Sequence, residues 1–182
     1  MNIIARRSLP RLRRRSLSTK APTTYTVSQE VPCVPPQTLF AVVADVDAYK
    51  TFLPYCNGSS VTRIIGRKSG KFIFEADLDI GVEGSIFKEV YKSRVSLDRQ
   101  KRAVDIAAIK SNLFDELRST WVISEGSPPD SSLVDFSVEY RCSNWAVDTF
   151  VRPLFPEIAR RQIEAFTARA TNLVEDNKVD QE

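Results

Sequence analysis

Residues 71–80 carry the sequence KFIFEADLDI, in which apolar and charged side chains alternate almost without interruption. The apolar positions are Phe72, Phe74, Ala76, Leu78 and Ile80. Successive side chains of a strand point to opposite faces, so this period of two predicts a strand with one buried face and one wet face. A sheet built from such strands needs a second layer to cover its apolar side.

The same alternation recurs along the chain, before and after this segment. It predicts further strands at 25–34, 87–97, 104–108, 117–123 and 134–140. Glycine-rich or polar turns are expected at 66–70, 81–84, 97–102 and 126–131. The succession predicts a meander of antiparallel strands with a single apolar face.

Helical spacing appears on both sides of this meander. Residues 38–46 predict one short helix, and residues 47–52 a second that Pro54 ends. A long amphipathic helix is expected from Phe155 to about Asp176, with Pro156 in its first turn. Sheet and helix must cover each other, so the sequence predicts the α+β helix-grip fold, in which a curved antiparallel sheet wraps a long C-terminal helix around a hydrophobic cavity.

The chain of 182 residues contains no histidine, which excludes Ser-His-Asp triads, Cys-His dyads and His-bearing zinc sites. Its three cysteines form no C-x-x-C pair and are expected to be reduced thiols. No stretch approaches the roughly 20 apolar residues of a membrane span. We therefore expect no metal site and no catalytic residues.

The N-terminus differs in composition from the rest of the chain. Residues 1–20 hold seven basic residues and no acidic one, whereas residues 21–182 carry a net charge of −4. An arginine-rich, serine-containing and acid-free segment is typical of a mitochondrial transit peptide, although a basic arm that binds anionic lipid or RNA has a similar composition. The expected organisation is a transit peptide at 1–20, a domain at 21–176 and a polar tail at 177–182.

Three segments resemble a known family. The stretch AVVADVDAYKTFLPYCNGSSV, from Ala41 to Val61, is similar to a conserved segment of the START-domain, polyketide cyclase-like family. Asn112-Leu113-Phe114 with Leu117 and Trp121, and the strand Val134-Asp135-Phe136, resemble two further family segments. The chain departs from the family pattern at Ser111-Asn112, where glycine is common, and at Tyr55, where tryptophan is common.

The mitochondrial branch of this family comprises coenzyme Q-binding proteins. The resemblance implies that the chain binds coenzyme Q (ubiquinone) as its ligand, without another cofactor. It implies a lipid chaperone or carrier that supports respiratory electron transport and ubiquinone synthesis, peripherally bound to the matrix side of the mitochondrial inner membrane. Respiratory or ubiquinone-synthesis complexes are expected as partners, and nucleic acid is not.

Three other functions stay open from the sequence. One is a polyketide cyclase-like enzyme that uses the same cavity, and another is transfer of a different lipid. The third is an interaction protein of mitochondrial ribosomes, because the bacterial branch of the family is linked to ribosome function.

The candidate cavity residues are those whose side chains should face inward, judged from the alternation along the strands and the three/four spacing along the C-terminal helix. The expected ligand-binding set is Phe74, Leu78, Tyr91, Trp121, Phe136, Val138, Phe166 and Ala170. An isoprenoid tail needs only apolar contacts, and transferring each CH₂ group from water gains roughly 0.8 kcal/mol. Any one of these residues could instead be ordinary core.

Glu89 shares the inward side of its strand with Tyr91, although burying a lone carboxylate is costly. It could mark a register break or a strand end in solvent. Alternatively, it could be a polar group near the quinone head or an ion-pair partner of an inward cation.

The linker 145–155 carries several large apolar residues and few charges. It could dock the last strand onto the helix. It could also form an apolar lip on the membrane surface, with Trp145 and Phe150 at headgroup level and Tyr55 on the opposite rim.

Residues 1–20 should direct a passenger protein to mitochondria. Replacing Arg6, Arg7 and Arg11 with Glu should leave the full chain in the cytosol, because the import machinery reads the acid-free arginine pattern. Fractionation or microscopy of the tagged chain checks this outcome. Import that is unchanged by the three substitutions would contradict the transit-peptide interpretation.

Overall fold

The computed structural model describes residues 21–81 and 88–179. Within these residues the chain forms one antiparallel sheet, two α-helices and one short 3₁₀ helix. The strands are β1 (Thr23–Val31), β2 (Cys56–Lys68), β3 (Lys71–Gly81), β4 (Lys88–Asp98), β5 (Ala103–Lys110), β6 (Phe114–Glu125) and β7 (Ser132–Cys142). The helices are α1 (Pro36–Ala44), the 3₁₀ helix (Val46–Thr51) and α2 (Trp145–Val179).

The seven strands have the order β1-β7-β6-β5-β4-β3-β2, and every neighbouring pair is antiparallel. The two helices and the 3₁₀ helix cover the apolar face. This architecture confirms the predicted helix-grip fold.

The outer face of the sheet carries ion pairs between neighbouring strands. Lys92 contacts Asp77 at 2.6 Å and Arg94 contacts Glu75 at 2.8 Å, in both cases between β4 and β3. Each pair sits on positions that the alternation assigned to the wet face. The Lys92–Asp77 pair is partly exposed and contributes little to stability, whereas Glu75 is buried beneath the exposed side chain of Arg94.

An aromatic cluster joins α2 to the sheet and to the 3₁₀ helix. The ring centroid of Phe166 lies 4.9 Å from that of Trp121 on β6 and 5.1 Å from that of Tyr49 on the 3₁₀ helix. Trp121 in turn lies 4.5 Å from Phe136 on β7. The two contacts of Phe166 are edge-to-face and the Trp121–Phe136 contact is tilted, and together they fix the relative positions of α2, the 3₁₀ helix and the sheet.

Strand β2 was not predicted from the sequence. Its pairing with β3 contains three register shifts, which interrupt the period of two. It is also an edge strand, and Ile64 and Ile65 are exposed on it. The apolar residues of β2 therefore do not mark one buried face.

The region 145–155 is also different from its prediction, because it is helical. Helix α2 begins at Trp145 rather than near Phe155, and it runs through Val179, three residues into the predicted polar tail. Asn144 caps its N-terminus: the side-chain oxygen accepts a hydrogen bond from the backbone N–H of Val147 at 3.0 Å. Pro153 and Pro156 lie inside the helix and cannot donate backbone hydrogen bonds, which hid the helix in the sequence.

Replacing Asn144 with Ala should lower the free energy of unfolding by about 1 kcal/mol, because the capping hydrogen bond is lost. Hydrogen exchange should accelerate in residues 145–152 before it changes elsewhere. Asn172→Ala, at an exposed position about two turns before the end of the same helix, is the matched control and should not destabilise the protein. Equal effects of the two substitutions in urea unfolding would show that Asn144 does not cap α2.

Candidate functional site

A cavity of about 460 Å³ lies between the sheet and the N-terminal half of α2. Its floor is aromatic and aliphatic, formed by Ile106, Trp121 and Phe136 of the sheet. The segment between the 3₁₀ helix and β2 lines one side with Leu53 to Cys56. On the opposite side, α2 contributes residues from Phe150 to Phe166.

Five of the eight predicted cavity residues line this space, namely Leu78, Tyr91, Trp121, Phe136 and Phe166. The other three do not. Phe74 lines a separate groove beside α1, whereas Val138 and Ala170 are buried in the core. The periodicity of the sequence assigned each residue to the inward face of its strand or helix. It does not show how far along that strand or helix the cavity extends.

Glu89 is buried and holds the loop between β5 and β6. Its carboxylate accepts hydrogen bonds from the Ser111 hydroxyl at 2.9 Å, from the Leu113 N–H at 3.3 Å and from the Asn112 N–H. It keeps its place in the β3–β4 register, opposite Ile80, so there is no register break. Glu89 is 6% exposed, and within the described residues it pairs with no cation and does not line the cavity.

The predicted lip residues have different positions. Tyr55 and Phe150 line the cavity. Trp145 does not line it, and its side chain is 81% exposed at the start of α2. Leu154, one turn after Phe150, lines the cavity while remaining 44% exposed. The mouth of the cavity is therefore continuous with an exposed apolar stretch of α2.

The polar atoms of the cavity wall are few and mostly neutral. Burial raises the pKa of both the Tyr49 and the Tyr91 hydroxyls, so both stay protonated at neutral pH. Tyr49 donates its proton to the Val43 carbonyl. Burial also raises the pKa of the Cys56 thiol, which donates to the Gly58 carbonyl at 3.5 Å.

Glu157 is the charged residue among the described lining residues, and two arginines neutralise it. Arg160 and Arg161 donate hydrogen bonds to its carboxylate at 2.7–2.9 Å and lower its pKa to about 2. The group is thus ionised at neutral pH and is not a proton donor. Across residues 21–81 and 88–179, no three His, Cys, Asp or Glu side chains are grouped as metal ligands.

Several lining residues were missed in the sequence. Cys56 and Ile80 belong to the irregular β2–β3 pairing, and Leu154 lies in the segment that was read as a linker. Ser119 could have been predicted from the sequence, because it occupies an inward position of β6 between Leu117 and Trp121. A hydroxyl on a predicted apolar face could have been recognised as a cavity group.

The chain is similar to proteins of a known family. Residues 33–167 match the family model described as "Polyketide cyclase / dehydrase and lipid transport". The chain belongs to this family. The mitochondrial coenzyme Q-binding protein COQ10 of Dictyostelium discoideum is 28% identical over 84% of this chain and 73% of its own length.

The chain is also similar to a bacterial protein and to a solved structure. The ribosome association toxin RatA of Rickettsia prowazekii is 30% identical, over 76% of this chain and 90% of its own length. A START superfamily protein from Mycobacterium smegmatis superposes with a TM-score of 0.67 at 20% identity, covering 82% of this chain and 98% of that one. The latter likeness shows the START-like fold.

Replacing Glu89 with Ala should lower the free energy of unfolding by about 1–3 kcal/mol, because three partly buried donors of the β5–β6 loop lose their acceptor. Lys88→Ala, at the exposed neighbouring position, should change stability by less than about 0.5 kcal/mol. Denaturant unfolding of both variants measures the difference. A stable Glu89→Ala protein would show that the carboxylate does not hold the loop.

Proposed function

We propose that this protein binds coenzyme Q in the cavity beneath α2 and acts as its chaperone or carrier rather than as an enzyme. The observation that carries the proposal is the enclosed apolar space between α2 and the sheet, in a chain related to proteins named coenzyme Q-binding. Each buried CH₂ group of an isoprenoid tail contributes about 0.8 kcal/mol without requiring any charged partner. A cavity with this lining suits a long neutral lipid.

The chemistry of the wall supports binding over catalysis. Catalysis of cyclisation by acid or base groups needs a side chain that can exchange a proton near neutral pH. Two arginines lower the pKa of Glu157 to about 2, and burial moves the pKa of Tyr91 further above neutral pH. Neither is poised to exchange a proton with a ligand.

The proposed location of the protein is the mitochondrion. The named COQ10 relatives are mitochondrial, and the basic segment 1–20 has the composition of a transit peptide. No helix in the described part of the chain is long and apolar enough to cross a membrane. We place the protein at the matrix side of the inner membrane as a peripheral protein, where it supports respiration and ubiquinone synthesis.

Membrane contact would occur through the first turns of α2. Trp145 and Leu154 are exposed there, and Leu154 also borders the cavity. Tryptophan is favoured at the membrane–water interface, and an apolar rim lets a water-insoluble lipid pass without crossing bulk water. The mouth of the cavity would then open toward the bilayer.

Filling the cavity should abolish quinone binding. Ile106→Trp adds a large side chain to the floor, so the folded variant should carry little coenzyme Q when lipids are extracted and measured by mass spectrometry. Ile109→Trp, on the exposed side of the same strand, is the matched control and should carry the normal amount. Equal quinone content in the two folded variants would contradict the proposed site.

Weakening the exposed part of α2 should reduce membrane binding. The variant Trp145→Ser with Leu154→Ser should float with phosphatidylcholine vesicles severalfold less than the unaltered protein. Val122→Ser, which removes an exposed apolar side chain from the outer face of β6, should float normally. An equal loss in all variants, or none in the double variant, would argue against docking through α2.

The likeness to the ribosome association toxin RatA favours a second candidate, binding to mitochondrial ribosomes. Co-sedimentation with ribosomal subunits distinguishes the two functions. Under the coenzyme Q proposal the Ile106→Trp variant loses quinone, and the unaltered protein does not sediment with ribosomes.

A further inference from the structure

Four lining residues have a hydroxyl or amide group that forms no hydrogen bond within the described residues, and one of them, Tyr55, stands apart in the segment before β2. Within the described residues, the Tyr91 hydroxyl on β4, the Ser119 hydroxyl on β6 and the Gln162 amide on α2 form no hydrogen bond, and all three line the cavity. The three side chains are partly buried, and none of these polar atoms is completely withdrawn from water, so a molecule inside the cavity can reach them. We refer to Tyr91, Ser119 and Gln162 as the polar band.

The other polar side chains of the wall differ from the polar band, because most of them already have partners. Tyr49 donates to the Val43 carbonyl, Cys56 donates to the Gly58 carbonyl, and Glu157 is bound by two arginines. A ligand that enters the cavity would therefore meet available donors from two strands of the sheet and from the helix.

The polar band is uncharged. Among the described lining residues, no lysine or arginine is available to pair with an anionic headgroup, and the one carboxylate is already neutralised. A tyrosine hydroxyl is protonated at neutral pH, and burial raises the pKa of Tyr91 further, so the group is a hydrogen-bond donor. The matching ligand is neutral and carries several oxygen acceptors on an otherwise apolar body.

We infer that the polar band selects a neutral ring bearing carbonyl and ether oxygens, and so distinguishes a quinone from a plain isoprenoid hydrocarbon or an anionic lipid. This inference rests on the proposed function, because it assigns the recognition of the quinone head within the same cavity. The apolar wall contributes affinity for any lipid tail, whereas the polar band contributes the preference for the ring.

The test compares two probes on the purified full domain. One probe is a short-chain ubiquinone, and the other is a prenylated benzene with the same tail and no ring oxygens. The unaltered protein should prefer the quinone. Tyr91→Phe and Ser119→Ala should each weaken quinone binding about three- to tenfold, the usual effect of one lost neutral hydrogen bond, and should leave binding of the prenylated benzene unchanged.

Ser93→Ala is the matched control. Ser93 lies on the same face of β4 as Tyr91, but it donates to the Ala76 carbonyl at 3.2 Å and does not line the cavity. It should lose stability without changing the preference between the probes. Gln162→Leu, in which an apolar side chain of similar size replaces the amide, should behave like Tyr91→Phe.

The outcomes separate this inference from the proposed function. If the unaltered protein binds the two probes with equal affinity, or if the variants lose affinity for both probes equally, the polar band does not select the quinone ring. The lipid-binding cavity would still stand. Failure of the unaltered protein to bind the quinone at all would overturn both. A loss that is specific for the quinone in Tyr91→Phe and Ser119→Ala would support the polar band.

Discussion

The contact between Phe166 of α2 and Trp121 of the sheet organises the rest of the molecule. Their ring centroids are 4.9 Å apart, and Tyr49 of the 3₁₀ helix packs against the same phenylalanine. Beyond this contact the helix packs tightly, and Ala170 is completely buried one turn later. Before it, the helix borders the cavity, while Ala159 and Ile163 of the same stretch are buried in the core. The aromatic cluster thus belongs both to the core and to the cavity wall.

The first turns of α2 are attached by a second and smaller cluster. Tyr140 stacks on Phe155 with ring centroids 4.1 Å apart, and Val151 is buried against the same end of β7. Pro153 and Pro156 interrupt the backbone hydrogen bonding of this part of the helix. The first turns of α2 therefore combine a separate small apolar cluster with interrupted backbone hydrogen bonding.

The sequence was informative where a simple period was present. Alternation on β3 to β7 gave the sheet and its inward face, and the three/four spacing around Phe166 gave the C-terminal helix. It failed at β2, where register shifts break the alternation, and at 145–155, where prolines concealed a helix. The same periods placed Phe74 and Ala170 on the inward faces of β3 and α2, but both residues lie outside the stretch that borders the cavity. The extent of a cavity depends on tertiary packing, which local patterns do not encode.

The proposed binding site places a quinone beside Trp121. Quinones quench nearby indole fluorescence, and the Trp145→Phe variant leaves Trp121 as the single tryptophan of the chain. Titration of this variant with a short-chain ubiquinone should give saturable quenching at one quinone per chain, and Ile106→Phe should weaken it. Quenching that does not saturate, or that appears only when Trp145 is present, would contradict a binding site in the cavity.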